Sequence, residues 1–220
     1  LSDRSAVLDV HPPHEPIRSW KDFTLHLLTI TIGLLIALAL EAAVQSLHHR
    51  HMVTEARVNL RRETGENHTL YAENLRSLQT RLVELERDID QLRDLRAGKT
   101  PEHFELQWSF NWSSYTDSAW KSARDSGAVG YMRPEVIKKY SELYGQQTFV
   151  NEAGVSILSD QAKAAAPLLL MKNRKDPKEL SAGDIQALLL SAAELEGRVK
   201  QLQLFMQVLD EDYTAALQHL

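Results

Sequence analysis

Phe23 to Leu40 reads FTLHLLTITIGLLIALAL, eighteen residues without an Asp, Glu, Lys or Arg. Coiled as an α-helix the run is about 27 Å long, close to the hydrocarbon thickness of a bilayer. Apolar residues continue past Glu41 through Ala42, Ala43, Val44 and Leu47, which leaves length to tilt. A signal peptide would have a basic start, a shorter apolar run and a small-residue cleavage site close behind. Here Gln45-Ser46-Leu47-His48-His49-Arg50-His51 follows instead. A buried core helix seldom runs this far with apolar residues on every face. The stretch is expected to be a transmembrane helix over residues 23–47. Trp20 and Lys21 suit one headgroup layer, and His48, His49 and His51 the other.

Composition narrows the rest. The 220 residues carry 25 basic and 30 acidic side chains, and this mildly acidic balance opposes nucleic-acid binding, which needs a basic patch to neutralise phosphates. No cysteine is present, so disulfides, thiolate metal sites and cysteine nucleophiles are excluded. What remains after the tail and the span, about 170 residues, suffices for one modest domain.

Orientation rests on few charges. Arg18 and Lys21 precede the span, and Arg50, Arg57, Arg61 and Arg62 follow it, the later ones interleaved with Glu55 and Glu63. A literal positive-inside count slightly favours a cytoplasmic C-terminal domain, but a short tail with basic residues abutting a span tends to stay inside, and large domains translocate with little regard to charge. A bacterial inner-membrane protein with a periplasmic C-terminal domain is the expectation.

Residues 1–22 form a Pro/His-rich tail. His11-Pro12-Pro13-His14-Glu15-Pro16 forbids a helix and favours an extended arm, either flexible or lying across a neighbouring subunit. Beyond the span no proline occurs before Pro101, so the helix is expected to run on as a stalk over 48–97. Tyr71, Leu75, Leu78, Leu82, Leu85, Ile89 and Leu92 alternate spacings of 4 and 3, a heptad seam flanked by Arg81, Glu84, Glu86, Arg87 and Asp88. Packing within the chain and a coiled coil between two copies both satisfy it. Ala97-Gly98 before Pro101 reads as a helix stop.

Residues 98–220 are expected to complete the bundle, with helices near 116–126, 134–170 and 182–218. Pro134-Glu135 has the proline and carboxylate of a helix start. Ser181-Ala182-Gly183-Asp184 resembles a capping box before the longest regular pattern, Ile185 to Ala216. That last helix, about 55 Å long, matches the stalk and could lie antiparallel to it. With no alternating strand pattern, the fold class is all-α: one N-terminal transmembrane helix continuing into an elongated antiparallel helical bundle. Phe104, Trp108, Trp112 and Tyr115 fall at spacings of 4, 4 and 3, which would put them on one helical face, either as core or as an aromatic docking patch.

Chemistry-bearing motifs are scarce. Gly98-Lys99-Thr100 has the tail of a phosphate loop, but Arg93 stands where the first glycine belongs and no strand precedes it. No H-x-x-x-H or H-E-x-x-H spacing occurs, and no serine sits in a strand-turn-helix elbow. A non-enzyme without cofactor or metal is expected. His26 is the one side chain in the span able to ligate a pigment or haem, or else to hydrogen-bond a neighbouring helix. Glu41 at the far end either snorkels or meets a partner within the membrane. Contacts with lipid or with other membrane-protein subunits are therefore expected at Trp20, His26, Gly33, Glu41, Trp108 and Trp112.

Trp20-Lys21-Asp22-Phe23, His26-Leu27, Thr29 through Ala37, Leu40-Glu41 and His48-His49-Arg50-His51 together resemble the start of a family of bacterial single-pass inner-membrane proteins. The resemblance runs over residues 20–51, thirty-two positions. It implies an inner-membrane address and no activity; some phototrophic reaction centres carry extra single-helix subunits of this kind. The function expected is a non-catalytic accessory subunit that docks on and stabilises a larger respiratory or photosynthetic complex. The alternatives are a membrane-anchored helical sensor and a homo-oligomeric scaffold. Chemoreceptor-type sensors return to the membrane after their last helix, and the chain reaches Leu220 without a second span.

Overall fold

The computed structural model of the chain describes residues 19–107, 110–173 and 176–218. Every regular element among them is helical. In order they are α1 (Trp20–Arg96), α2 (Ser118–Asp125), a 3-10 turn (Ala128–Tyr131), α3 (Pro134–Ala164), the short α4 (Ala166–Leu170), a second 3-10 turn (Pro177–Glu179) and α5 (Ala182–Gln218). The chain divides into two units, Leu1–His49 and Arg50–Leu220, and α1 contributes residues to both. The tail to residue 18 lies outside the described residues.

Local signals set the ends. The Ser19 hydroxyl accepts the Lys21 N–H at 3.2 Å and Asp22 adds an acid in the first turn, together capping α1. At the other end Gly98 takes φ +77°, the Gly98 N–H reaches Leu95 O and the Lys99 N–H reaches Asp94 O. That pair of bonds is a Schellman stop, and a left-handed residue there favours glycine. Ser181 and Asp184 cap each other before α5: the Ser181 N–H donates to Asp184 Oδ2 at 3.0 Å and the Asp184 N–H to Ser181 Oγ at 3.1 Å.

In the first unit every described residue from Ser19 to Leu47 is exposed, so no part of the apolar run is buried among the described residues. Among the described residues it is the one helix segment long and apolar enough to cross a membrane.

The second unit holds the core. Leu60, Leu78, Leu85 and Leu92 of α1, Leu143 and Val150 of α3, and Leu188, Val199, Leu202 and Leu209 of α5 are wholly buried or nearly so. The heptad seam of α1 is thus filled from within the chain: Tyr71 meets Tyr213 edge-on at 6.0 Å. α3 and α5 touch where Phe149 meets Phe205 at 4.7 Å and Asp160 meets Arg198. α1 and α5 touch where His68 meets Asp210 at 3.2 Å and Arg96 meets Gln186 at 3.4 Å.

Residues 104–107 and 110–117 form no helix, so the spacing of Phe104, Trp112 and Tyr115 does not generate a helical face. The physical reason is that the main-chain groups of this segment find partners in side chains of α1 and α3, leaving no need for bonds within a helix.

Candidate functional site

Two regions carry the polar and apolar features that need explaining, one in each unit. The first is the exposed run of α1. Its hydroxyls are closed on the helix itself: Thr24 donates to Trp20 O and Lys21 O, Thr29 to Leu25 O at 2.9 Å, and Thr31 to Leu27 O at 2.8 Å. A helix facing hydrocarbon needs this, because lipid offers no partner to a bare hydroxyl. Trp20, 77% exposed, lies 5.5 Å from Phe23, an aromatic pair at the helix start. His26 is exposed, and nothing within 4 Å would meet a Cβ added at Gly33. Glu41, also exposed, accepts a bond from Gln45 Nε2 at 3.2 Å, so its carboxylate is partly satisfied along its own helix. Trp20, His26, Gly33 and Glu41 therefore all lie on a surface that is exposed among the described residues.

The second is a strap, residues 104–107 and 110–117, whose main chain is held by side chains of α1. Gln91 bonds both Glu105 N–H (3.1 Å) and Glu105 O (3.5 Å). Asp88 Oδ2 accepts the Gln107 N–H at 3.0 Å, and Arg81 Nη1 donates to Gln107 O. Ser77 donates to Asn111 O, and Asn74 clasps Ser113 at both N–H (2.9 Å) and O (2.8 Å). Asn67 does the same to Thr116 at 3.0 and 2.7 Å. Asn151 of α3 holds Tyr115 at both groups, at 3.1 and 3.2 Å. A side-chain amide that bonds the N–H and C=O of one residue copies what a neighbouring β-strand would offer, and it does so whatever the strap's own side chains are.

The ladder ends on a helix cap. α2 has no side-chain cap from Asp117; both Glu63 oxygens accept the Ala119 N–H instead, at 3.1 and 3.0 Å. Glu63 also accepts the Tyr144 hydroxyl at 2.7 Å. Placed against the first N–H groups of α2, the carboxylate meets the positive end of that helix.

Electrostatics in this region follow burial. Asp88 is fully enclosed, and burial pushes its carboxyl up to about 6; Arg81, the Gln107 N–H and Arg87 pull the other way without winning. Desolvation likewise lowers the guanidinium of Arg81, 1% exposed, against the pull of Asp88 and Glu84. The Tyr115 phenol is driven up to about 12 by burial, and burial also raises Tyr140, Tyr144 and Tyr213. Neutral phenols serve packing here, and those of Tyr144 and Tyr213 also donate, to Glu63 and Gln147. Among the described residues no three His, Asp or Glu side chains come together to hold a metal.

The tryptophans separate. Trp108 lies outside the described residues. Trp112 packs inward: its ring is 6.2 Å from Phe110, 5.9 Å from Tyr115, and against Gly154 of α3. Trp112, half-buried, thus packs within the second unit, the core alternative of the two readings of the aromatic spacing. A Cβ at Gly154 would sit 2.2 Å from Trp112 Cε2. Gly154→Ala is expected to lower stability by about 1–3 kcal/mol in urea unfolding, because overpacking outweighs the helical propensity gained. Gly145→Ala in the same helix, where the added methyl meets open space, is expected to raise it by up to about 1 kcal/mol. Equal effects at the two positions would refute the packing assigned to Trp112.

The signal that sequence reasoning passed over is plain once the ladder is seen. Asn67, Asn74, Arg81 and Asp88 recur every seven residues beside the apolar seam. No protein-family model, curated protein or solved structure matches the chain.

Proposed function

We propose that the protein is a non-catalytic, single-pass accessory subunit that docks on and stabilises a larger bacterial inner-membrane assembly of the respiratory or photosynthetic kind. The observation that carries this reading is the exposure of the whole apolar run of α1, with its threonine hydroxyls closed on the helix. Lipid or the transmembrane helices of a host would cover it, with His26 and Glu41 as the polar points of contact. The resemblance of residues 20–51 to single-pass inner-membrane proteins agrees, and Arg18 and Lys21 before the span favour a periplasmic second unit.

The second unit serves as the docking body, an elongated bundle in which α5 runs antiparallel to α1 and α3. Pairings of His68 with Asp210 and Arg96 with Gln186, and of Gln146 with Phe205 and Asp160 with Arg198, support that direction. Its polar interior is spent on holding the strap and capping α2, which argues for a structural use of these groups. The α1 seam is occupied within the chain, so a coiled-coil scaffold would need another surface.

Extraction of the tagged chain from its native membranes in mild detergent, followed by mass measurement and subunit identification, tests the proposal. A stoichiometric membrane-protein partner is expected. A chain recovered alone, or only as a homodimer, would overturn it.

A further inference from the structure

Between α3 and α5 the chain turns through PLLLM, Pro167 to Met171, and its apolar residues divide. Leu168 and Met171 are buried, whereas Leu169 is 59% exposed and Leu170 87%. Two adjacent leucines thus project from a turn that has already used its inward positions for packing. Three exposed lysines accompany them: Lys163 at the end of α3, Lys172 just after Met171, and Lys178 in the second 3-10 turn. The nearby acids are engaged. Glu179 accepts the main-chain N–H groups of Lys172 (2.7 Å) and Asn173 (3.1 Å), Asp176 accepts that of Lys178 (3.0 Å), and Asp160 faces Arg198 as well as Lys163. Counted along the sequence, residues 163–179 carry five basic side chains against two acids, Asp176 and Glu179, a local excess of positive charge beside exposed leucines in a chain whose net charge is −5.

That combination discriminates between occupants. Protein–protein interfaces are depleted in lysine at their centres. A bilayer surface uses both features at once: leucines enter the headgroup–acyl boundary while lysines meet phosphate. We propose that this turn is a second lipid contact, distinct from the apolar run of α1, in which Leu169 and Leu170 insert into an anionic bilayer and Lys163, Lys172 and Lys178 hold its phosphates. The bond from Arg96 to Gln186 brings the start of α5 to the Arg96 end of the second unit, so the bilayer surface in question is one presented to that end. Along α1, Arg96 is about 69 Å from Arg50.

The contact goes beyond the accessory role proposed above and is tested apart from it. The full chain is reconstituted into nanodiscs of phosphatidylcholine, and entry into the disc, read by size exclusion, reports on the α1 run alone. The discs are then floated with vesicles of phosphatidylglycerol and phosphatidylcholine, or of phosphatidylcholine only; a chain that stays outside the discs enters the same flotation directly. Anionic vesicles are expected to capture the wild type about tenfold better than neutral ones, and 0.5 M salt to remove most of that preference. Leu169→Ser/Leu170→Ser and Lys172→Glu/Lys178→Glu change only exposed side chains, and each is expected to lower capture about tenfold with unchanged circular dichroism. Failure of anionic vesicles to capture the wild type, equal capture by neutral ones, or undiminished capture of the serine variant would overturn the proposal.

Discussion

Arg81→Met is expected to destabilise the second unit by about 3–5 kcal/mol at pH 7, read by urea unfolding of the full chain in detergent. Arg81 and Asp88 are almost wholly enclosed, 3.8 Å apart, and both hold Gln107: one its carbonyl, the other its N–H. Removing the guanidinium leaves a buried carboxylate facing only the Gln107 N–H and the half-exposed Arg87. It also strips Gln107 O of its donor. The methionine stem replaces most of the lost volume, so the expected loss is electrostatic rather than a cavity effect. Arg81→Met/Asp88→Asn is expected to recover about half of it, because the amide still accepts from Gln107 and no charge remains. A double variant as unstable as the single one would show that the pair matters only for packing.

The same pair fixes a pH dependence whose sign is opposite to that of an ordinary ion pair. Burial raises the folded Asp88 carboxyl from 3.8 to about 6 despite Arg81. The folded state therefore holds the proton more tightly than the unfolded chain does. Asp88 favours folding most below pH 4, and that contribution, about 3 kcal/mol, is lost as pH rises through 4 to 6. Asp88→Asn is expected to flatten that part of the stability curve. In Arg81→Met the main opposing charge is gone, so the carboxyl rises further and the deficit against wild type should widen between pH 6 and 8. A deficit independent of pH across that interval would mean that Asp88 is not ionised beside Arg81.

How much of this was legible in the sequence depends on where the information sits. Helix ends are encoded within a few residues, as Gly98 after Arg96 and the Ser181–Asp184 pair demonstrate. The apolar seam from Tyr71 to Leu92 is likewise local, although periodicity alone left open whether the same chain or a second one fills it. The strap is different in kind. Its 4-4-3 aromatic spacing imitates a helix, and what occupies its main chain instead is a set of amides 14 to 49 residues upstream on α1, with Asn151 36 residues downstream. No window over residues 104–117 contains that instruction. Gly154 is a similar case: in a helical pattern it reads as a weak point, yet it is where the indole of Trp112 lies.

The second large effect concerns the apolar run itself. Leu34→Arg/Leu35→Arg is expected to move the protein from the alkaline-carbonate-resistant membrane fraction to the supernatant, with the wild type remaining in the pellet. Each arginine near the middle of a span costs about 3 kcal/mol on insertion scales, so the pair opposes insertion by about 6 kcal/mol. Both leucines are 59% exposed, so the second unit should keep its unfolding midpoint. Val83→Arg supplies the matched control: Val83 is 69% exposed on α1 within the second unit, and its replacement should change neither fraction nor midpoint. A core helix of a soluble protein would tolerate Val83→Arg equally but lose stability when Leu34 and Leu35 become charged. Recovery of the wild type in the aqueous phase, or resistance of the arginine variant to carbonate, would refute the membrane span. With it would go the reason for an apolar surface on which Thr29 and Thr31 turn their hydroxyls back to their own helix.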